Sequence, residues 1–200
     1  MVIVRGFRLV SVLLLVLVLG GCATRPAGPP PEASRDDIAA LAAALKGLGP
    51  AVDPAEAERL AEIAYSHTRE LAIAYEIEDP PLIHNMKVNM GIKPRGLCKD
   101  WADDMEARLR QEGFQSFTLH RAIANHDKPF RIEHSTVIVS ARGADMFDGI
   151  VLDPWRLGGI LWWGKTREDP EYEWVPREEV FAYKRRLLRQ QQITAAREQR

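Results

Sequence analysis

Apolar residues recur every three or four positions in the first half of the chain, which is the period of helices with one buried face. The pattern predicts a helix that starts at the cap Ser34 and continues through 38–45, and a second that starts at the cap Asp53 and continues to about residue 78. Two further helices are predicted over 82–90 and over 97–112. Proline and glycine residues separate these segments, as expected between helices.

β-Branched and aromatic residues predominate further along, in short segments bounded by glycine and polar residues. Strands are predicted over 114–123, 133–140 and 147–152. A last helix starts near Pro176 and continues into a polar tail over 184–200, which carries six basic residues and one acidic residue. Helices followed by strands are typical of the α+β class, so we expect N-terminal helices and then a small antiparallel sheet.

The first twenty-two residues have the composition of an export signal. Arg5 and Arg8 precede an uncharged apolar run over 9–19, which is too short to span a bilayer as a helix. The run ends in Leu-Gly-Gly-Cys at Cys22, which resembles the bacterial lipobox. The resemblance implies removal of residues 1–21 and acylation of Cys22, which anchors the chain in the cell envelope. Because alanine follows the cysteine, the outer membrane facing the periplasm is the expected location.

The composition divides the chain into four parts. Residues 1–21 form the signal peptide, a proline-rich tether covers 22–33, one domain occupies 34–183 and a basic polar tail covers 184–200. A formal net charge of −1 gives no argument for nucleic-acid binding. The expected partners are the lipid bilayer, through acylated Cys22, and an envelope peptide or protein as substrate.

Three side chains with complementary chemistry stand at the ends of predicted elements. Cys98 starts a helix, where backbone amides and the helix dipole stabilise a thiolate. His134 starts one strand and Asp153 ends the next, so antiparallel pairing brings both to one end of the sheet. A thiolate attacks an acyl carbon, an imidazole moves the proton and a carboxylate orients the imidazole. These residue types therefore predict a catalytic site.

The same three residues, with their neighbours, resemble transglutaminase-like proteins, which are related to papain-like peptidases. The stretches that carry the resemblance are PPLIHN over 80–85, RGLCKDW over 95–101, EHS over 133–135 and GIVLDPWR over 149–156. It covers about residues 55–175 and implies a papain-like core and thiol acyl transfer, as peptide hydrolysis, amide hydrolysis or transamidation. Nothing in the chain resembles the calcium sites of animal transglutaminases, and no cofactor is expected.

Acyl transfer also needs donors for the developing oxyanion, and the backbone N–H of Cys98 can be one of them. Asn85 and Asn89 are candidates for the second donor. Trp101, one helical turn after Cys98, is a candidate for the cleft wall or for the core. The histidines and acids match no tight metal-ligand spacing, so no metal is expected.

A second class of function stays open from the sequence. The chain would then be a non-catalytic envelope lipoprotein that uses the same fold for binding or assembly, because fold and function separate readily. A lone thiol at Cys98 in an oxidising compartment also suits durable catalysis poorly. A thiol beside the ring of His134 favours the enzyme, whereas a buried thiol without a cleft favours the binding module.

Overall fold

The computed structural model describes residues 30–198, which form helices packed against one five-stranded antiparallel sheet. The helices are α1 (Arg35–Lys46), α2 (Pro54–Ala74), α3 (Pro81–Asn89), α4 (Cys98–Gln111) and α5 (Arg177–Glu198). The strands are β1 (Phe117–Ala124), β2 (His134–Ala141), β3 (Ile150–Asp153), β4 (Trp162–Lys165) and β5 (Val175–Pro176). The α+β class expected from the order of the elements is confirmed.

The predicted signal peptide and the acylation site Cys22 lie outside the described residues. Between residues 30 and 198, no helix is both long and apolar enough to cross a membrane. The described end of the tether packs on the domain, because Pro30 is buried and its carbonyl accepts a hydrogen bond from Arg69 Nε at 3.1 Å. The tether therefore joins the domain at the side of α2.

The first two helices begin at the predicted capping residues. Ser34 caps α1 in a reciprocal capping box, and Asp53 accepts hydrogen bonds from the first backbone amides of α2. α2 ends at Ala74 rather than near residue 78, because Glu76 takes a left-handed backbone conformation with φ of 55°. The apolar spacing in the sequence continues past the end of the helix because Ile77 packs into the core after the turn.

The sheet has the order β4-β3-β2-β1-β5, so β2 lies at its centre. Val137 and Val139 belong to the core that the sheet shares with α1, α2 and α4. Ile138 points to the opposite face, where it packs with Met146 and Trp174. Both faces are buried, and α4 packs directly against β2.

Three further boundaries differ from the sequence-based expectation by more than one residue. β1 begins at Phe117 rather than at residue 114, and β3 begins at Ile150 because a single 3-10 turn occupies Met146–Asp148. α5 continues through the expected domain end at residue 183 as far as Glu198. Among its residues only Val180 is buried, so the basic tail described here is an exposed continuation of the helix.

Glu56, in the first turn of α2, joins the helices to the start of the sheet. Its carboxylate accepts hydrogen bonds from the backbone N–H of Gln115 at 2.8 Å and of Ser116 at 2.8 Å, and from the Ser116 hydroxyl at 2.6 Å. Burial opposes ionisation, but these bonds and the nearby Arg59 outweigh it and lower the pKa of Glu56 below its usual value.

Replacing this carboxylate tests the link. We expect Glu56→Gln to lower the free energy of unfolding by about 1–2 kcal/mol at pH 7. A lowered carboxyl pKa stabilises the fold above the unfolded-state pKa, and this stability is lost as the pH falls through the folded-state pKa. The difference from wild type therefore shrinks below about pH 4 in urea unfolding. Glu58→Gln, on the exposed face of the same helix, is the control, and an equal loss in both variants would contradict the assignment.

Candidate active site

Cys98 is the first residue of α4, and the loop before it is held by the helix itself. The backbone N–H groups of Gly96 and Leu97 donate to Asp100 Oδ2 at 3.1 and 3.0 Å. The Cys98 thiol is partly exposed and donates to the carbonyl oxygen of Glu133, with the sulfur 3.5 Å from that oxygen. The nucleophile candidate therefore sits at a helix N-terminus beside the residue that precedes His134.

Gly96 is needed for the chain to reach this position. Its φ of 124° is unfavourable for any residue with a side chain, and a Cβ there would lie 2.5 Å from His84 Nε2. His84 is buried below the loop, where Nε2 donates to the carbonyl oxygen of Arg95 at 2.8 Å. α3 thus supports the loop that presents Cys98.

His134 and Asp153 meet as their places in the sheet require. His134 begins β2 and Asp153 ends the antiparallel neighbour β3, so both lie at one end of the sheet. His134 Nε2 donates to Asp153 Oδ2 at 2.6 Å, and both side chains are almost completely buried. The other ring nitrogen, Nδ1, has no hydrogen-bond partner among residues 30–198, so it is left for the thiol.

The electrostatics of the pair favour a charged imidazole. Burial alone would lower the pKa of His134, but the charge and hydrogen bond of Asp153 outweigh it and raise this pKa to about 9. Cys98 contributes in the same direction, since its sulfur can accept a hydrogen bond from the ring and is negative as a thiolate. Burial likewise opposes the Asp153 carboxylate, yet His134 and Arg156 lower the pKa of Asp153 below its usual value.

Arg156 is the second partner of the buried carboxylate. Its Nε donates to Asp153 Oδ2 at 2.9 Å and its backbone N–H donates to Oδ1 at 3.1 Å. The two remaining guanidinium nitrogens bind Asp169 at 3.1 and 2.7 Å. The guanidinium carbon lies 3.6 Å from the ring centre of Trp162, and the side chain is only 6% exposed. Arg156 therefore holds the Asp153 carboxylate in place, and Asp169 and Trp162 hold the guanidinium group of Arg156 in place.

Aromatic rings enclose the imidazole of His134. Trp155 and Tyr172 each lie 4.7 Å from it, centre to centre, and Trp174 lies at 5.4 Å. Trp174 also donates to Asp169 at 2.9 Å, which joins the rings to the arginine network. These rings keep water from the buried charges, which strengthens the interactions between them.

A cleft of about 670 Å³ opens above the thiol and the imidazole, and both line it. Most of its surface is apolar and comes from α3, from the residues around β1 and β2 and from α5. Asp153 does not line the cleft and is completely buried behind His134. The three sequence-predicted residues are thus brought together, with two of them facing the cavity.

The other candidate site residues differ in whether they line the cleft. Asn85 and Asn89 both line the cleft. Asn85 Oδ1 accepts the indole N–H of Trp155 at 3.1 Å, which leaves the amide N–H group as its free donor. Trp101 does not line the cleft, because it is 1% exposed and its indole N–H donates to the carbonyl oxygen of Gly96 at 3.1 Å. Of the two roles considered for Trp101, the structure places it in the core.

No group of three or more histidine, cysteine, aspartate or glutamate side chains that could hold a metal ion occurs between residues 30 and 198. No protein-family model matches the sequence, and no curated protein or solved structure matches it. The function of the site has to be argued from the chemistry of its own residues.

Sequence reasoning missed the arginine network. Arg156 lies three residues after Asp153, which is the only sequence signal for their contact, and solvation is the default for an arginine. The backbone amides of Glu171 and Tyr172 bind Asp169 locally, but nothing local indicates its contact with Arg156, which lies 13 residues earlier. The link between Asn85 and Trp155 is likewise a tertiary contact across a long stretch of chain.

Removing the guanidinium leaves the buried Asp169 carboxylate without its counter-charge and leaves Asp153 with His134 as its remaining one. We expect Arg156→Met to lower the free energy of unfolding by about 3–5 kcal/mol at pH 7. Arg156→Lys should recover only part of this loss, because an ammonium group cannot bridge Asp153 and Asp169 with a planar fork. Urea unfolding measures both variants. Arg167→Met, which removes an exposed arginine paired with Asp148, is the control, and a loss of similar size there would refute the network.

Proposed function

We propose that the chain is a membrane-anchored thiol acyl-transfer enzyme of the cysteine peptidase or amidase type. Cys98 is the nucleophile, His134 is the acid–base group and Asp153 orients the imidazole. The observation that carries the proposal is the 2.6 Å contact between His134 and Asp153, behind a cleft that the Cys98 thiol also lines. A helix that starts with the thiol and packs on antiparallel strands bearing the other two residues supports the resemblance to a transglutaminase-like core.

In the proposed reaction, the resting site is an ion pair in which Nδ1 of His134 already holds the Cys98 proton, and the thiolate attacks the carbonyl carbon of an amide. The amide C–N bond then breaks, and the imidazolium gives its proton to the leaving nitrogen. Water or an amine attacks the resulting thioester, passes a proton to His134 and releases the acyl group from sulfur. Asp153 keeps the ring in place and stabilises its positive form throughout.

Two donors are suited to the developing oxyanion. The backbone N–H of Cys98 belongs to the first helical residue of α4 and has no acceptor among residues 30–198. The side-chain amide of Asn85 has its oxygen held by Trp155 and its N–H group free in the same cleft. Donors held in fixed positions stabilise the transition state without reorganising during the reaction.

The anchoring part of the proposal rests on the sequence. Acylated Cys22 would hold the domain at the outer membrane, facing the periplasm, through the proline-rich tether. Two or three acyl chains anchor a protein firmly, since each buried methylene contributes about 0.8 kcal/mol. Envelope peptides and proteins would then be within reach as substrates.

The reactivity of the thiol distinguishes the enzyme from the binding module. We expect iodoacetamide to alkylate Cys98 at pH 6.5 at least about tenfold faster in wild type than in His134→Ala, because the imidazolium stabilises the thiolate. This dependence on the histidine should persist until the imidazolium deprotonates near pH 9. Mass spectrometry of the labelled chain gives the rates, with His120→Ala as the control. Equal rates with and without His134 would argue for the non-catalytic alternative.

The oxyanion assignment predicts a separate effect of Asn85. We expect Asn85→Asp, which keeps an acceptor for Trp155 and loses the N–H group, to slow acylation by a p-nitrophenyl ester. The ratio of this rate to the iodoacetamide rate should fall about 100-fold, because alkylation forms no oxyanion. Asn89→Asp should leave the ratio near the wild-type value. A fall in Asn89→Asp alone would assign the donor to Asn89 instead.

A further inference from the structure

Phe130 is exposed to solvent in a backbone conformation that large side chains avoid. It lies in the loop between β1 and β2, its side chain is fully exposed at 107% of the reference value, and its φ is 63°. Bulky residues rarely adopt a positive φ, and large exposed apolar surfaces mark interaction sites. Strained backbone that carries an exposed ring points to a contact made outside the domain.

The loop that carries Phe130 is held in place. The backbone N–H of Lys128 donates to Asn125 at 3.2 Å, and the Asn125 side chain donates to the carbonyl oxygen of Ile132 at 3.2 Å. The Lys128 ammonium lies 2.6 Å from a Glu173 carboxylate oxygen. The domain therefore holds the loop backbone on both sides of Phe130, while the ring itself is in solvent.

Phe130 lines a second cavity, of about 570 Å³, which His134 also lines. Trp155 and Tyr172 form an aromatic wall of this cavity, and Arg131 and Glu171, which carry opposite charges, also line it. His134, Leu82 and Ile132 line both this cavity and the cleft, whereas Cys98 lines only the cleft. The two cavities therefore meet at the imidazole, with the thiol on one side.

The direction of the proposed reaction indicates which part of a substrate occupies each of the two cavities. The carbonyl carbon must lie next to Cys98, and the leaving nitrogen must lie next to the ring that protonates it. The acyl part of a substrate then occupies the cleft, and the leaving part extends past His134 into the cavity with Phe130. A small terminal amide, which releases ammonia, has nothing to place there.

We propose that the substrate is an extended polypeptide segment attacked at an internal amide bond, with apolar side chains on both sides of that bond. This inference rests on the proposed function. The leaving side packs on Phe130, and the acyl side packs on Phe181, which is 44% exposed and lines the cleft. Phe130 is thus a residue that determines specificity on the leaving side.

Three peptidyl α-ketoamide probes test this assignment, because Cys98 can attack the ketone reversibly. All carry two leucine residues on the acyl side, and they end in a bare amide, in two further leucine residues or in two aspartate residues. Protection of Cys98 from iodoacetamide gives the affinity of each. We expect the leucine extension to increase affinity at least about tenfold over the bare amide, and the aspartate extension to give no gain.

Two variants test whether the gain in affinity from the leucine extension depends on Phe130. Phe130→Asn removes the ring and tolerates the positive φ, and we expect it to abolish the gain from the leucine extension. Ile160→Ser, which replaces another exposed apolar residue that lines neither cavity, should retain it. Circular dichroism confirms that both variants are folded.

The possible outcomes distinguish a failure of the leaving-side assignment from a failure of the proposed function. Equal affinity for all three probes, an equal gain from leucine and aspartate, or an undiminished gain in Phe130→Asn would overturn the leaving-side assignment. If no probe protects Cys98 although its alkylation depends on His134, the peptide substrate is refuted and the thiol chemistry stands. If alkylation does not depend on His134, the proposed function itself fails.

Discussion

The buried contact between His134 and Asp153 is the interaction on which the rest of the site depends. A carboxylate with no exposed surface is strongly unfavourable unless opposite charge and hydrogen-bond donors surround it. The antiparallel register of β2 and β3 supplies the imidazole, and the turn after β3 supplies Arg156. The ends of these strands are therefore constrained by electrostatics as well as by packing.

The buried charges around this contact balance. Asp153 and Asp169 carry two negative charges, and Arg156 with the imidazolium of His134 carries two positive ones. Glu171, whose carboxylate lies 3.8 Å from Arg156, is 58% exposed and therefore screened by solvent. Deprotonating the ring would leave this buried group negative, which explains in physical terms why the pKa of His134 lies at about 9. The positive ring faces the thiol, so the same charge balance that stabilises the fold would also stabilise a thiolate at Cys98.

The sequence was informative where the determinants are local. The caps at Ser34 and Asp53, the helix start at Cys98 and the strand ends at His134 and Asp153 each follow from neighbouring residues, and the structure places them as expected. The contacts that complete the site could not be predicted this way. They join residues from different elements, as Asp169 binds Arg156, 13 residues earlier, and as Trp155 binds Asn85, 70 residues earlier. Such pairings depend on the packing of the whole sheet and have no periodic signal.

Anchoring, if Cys22 carries lipid, limits which polypeptides could reach the cleft. Pro30 is the eighth residue after Cys22, and an extended chain spans at most about 3.6 Å per residue, so the docked end of the tether would stay within about 30 Å of the bilayer surface. This distance is about the diameter of a small domain. Segments that extend from the membrane surface would reach the cleft more readily than folded domains, because the proposed substrate is an extended segment that occupies both cavities lined by His134.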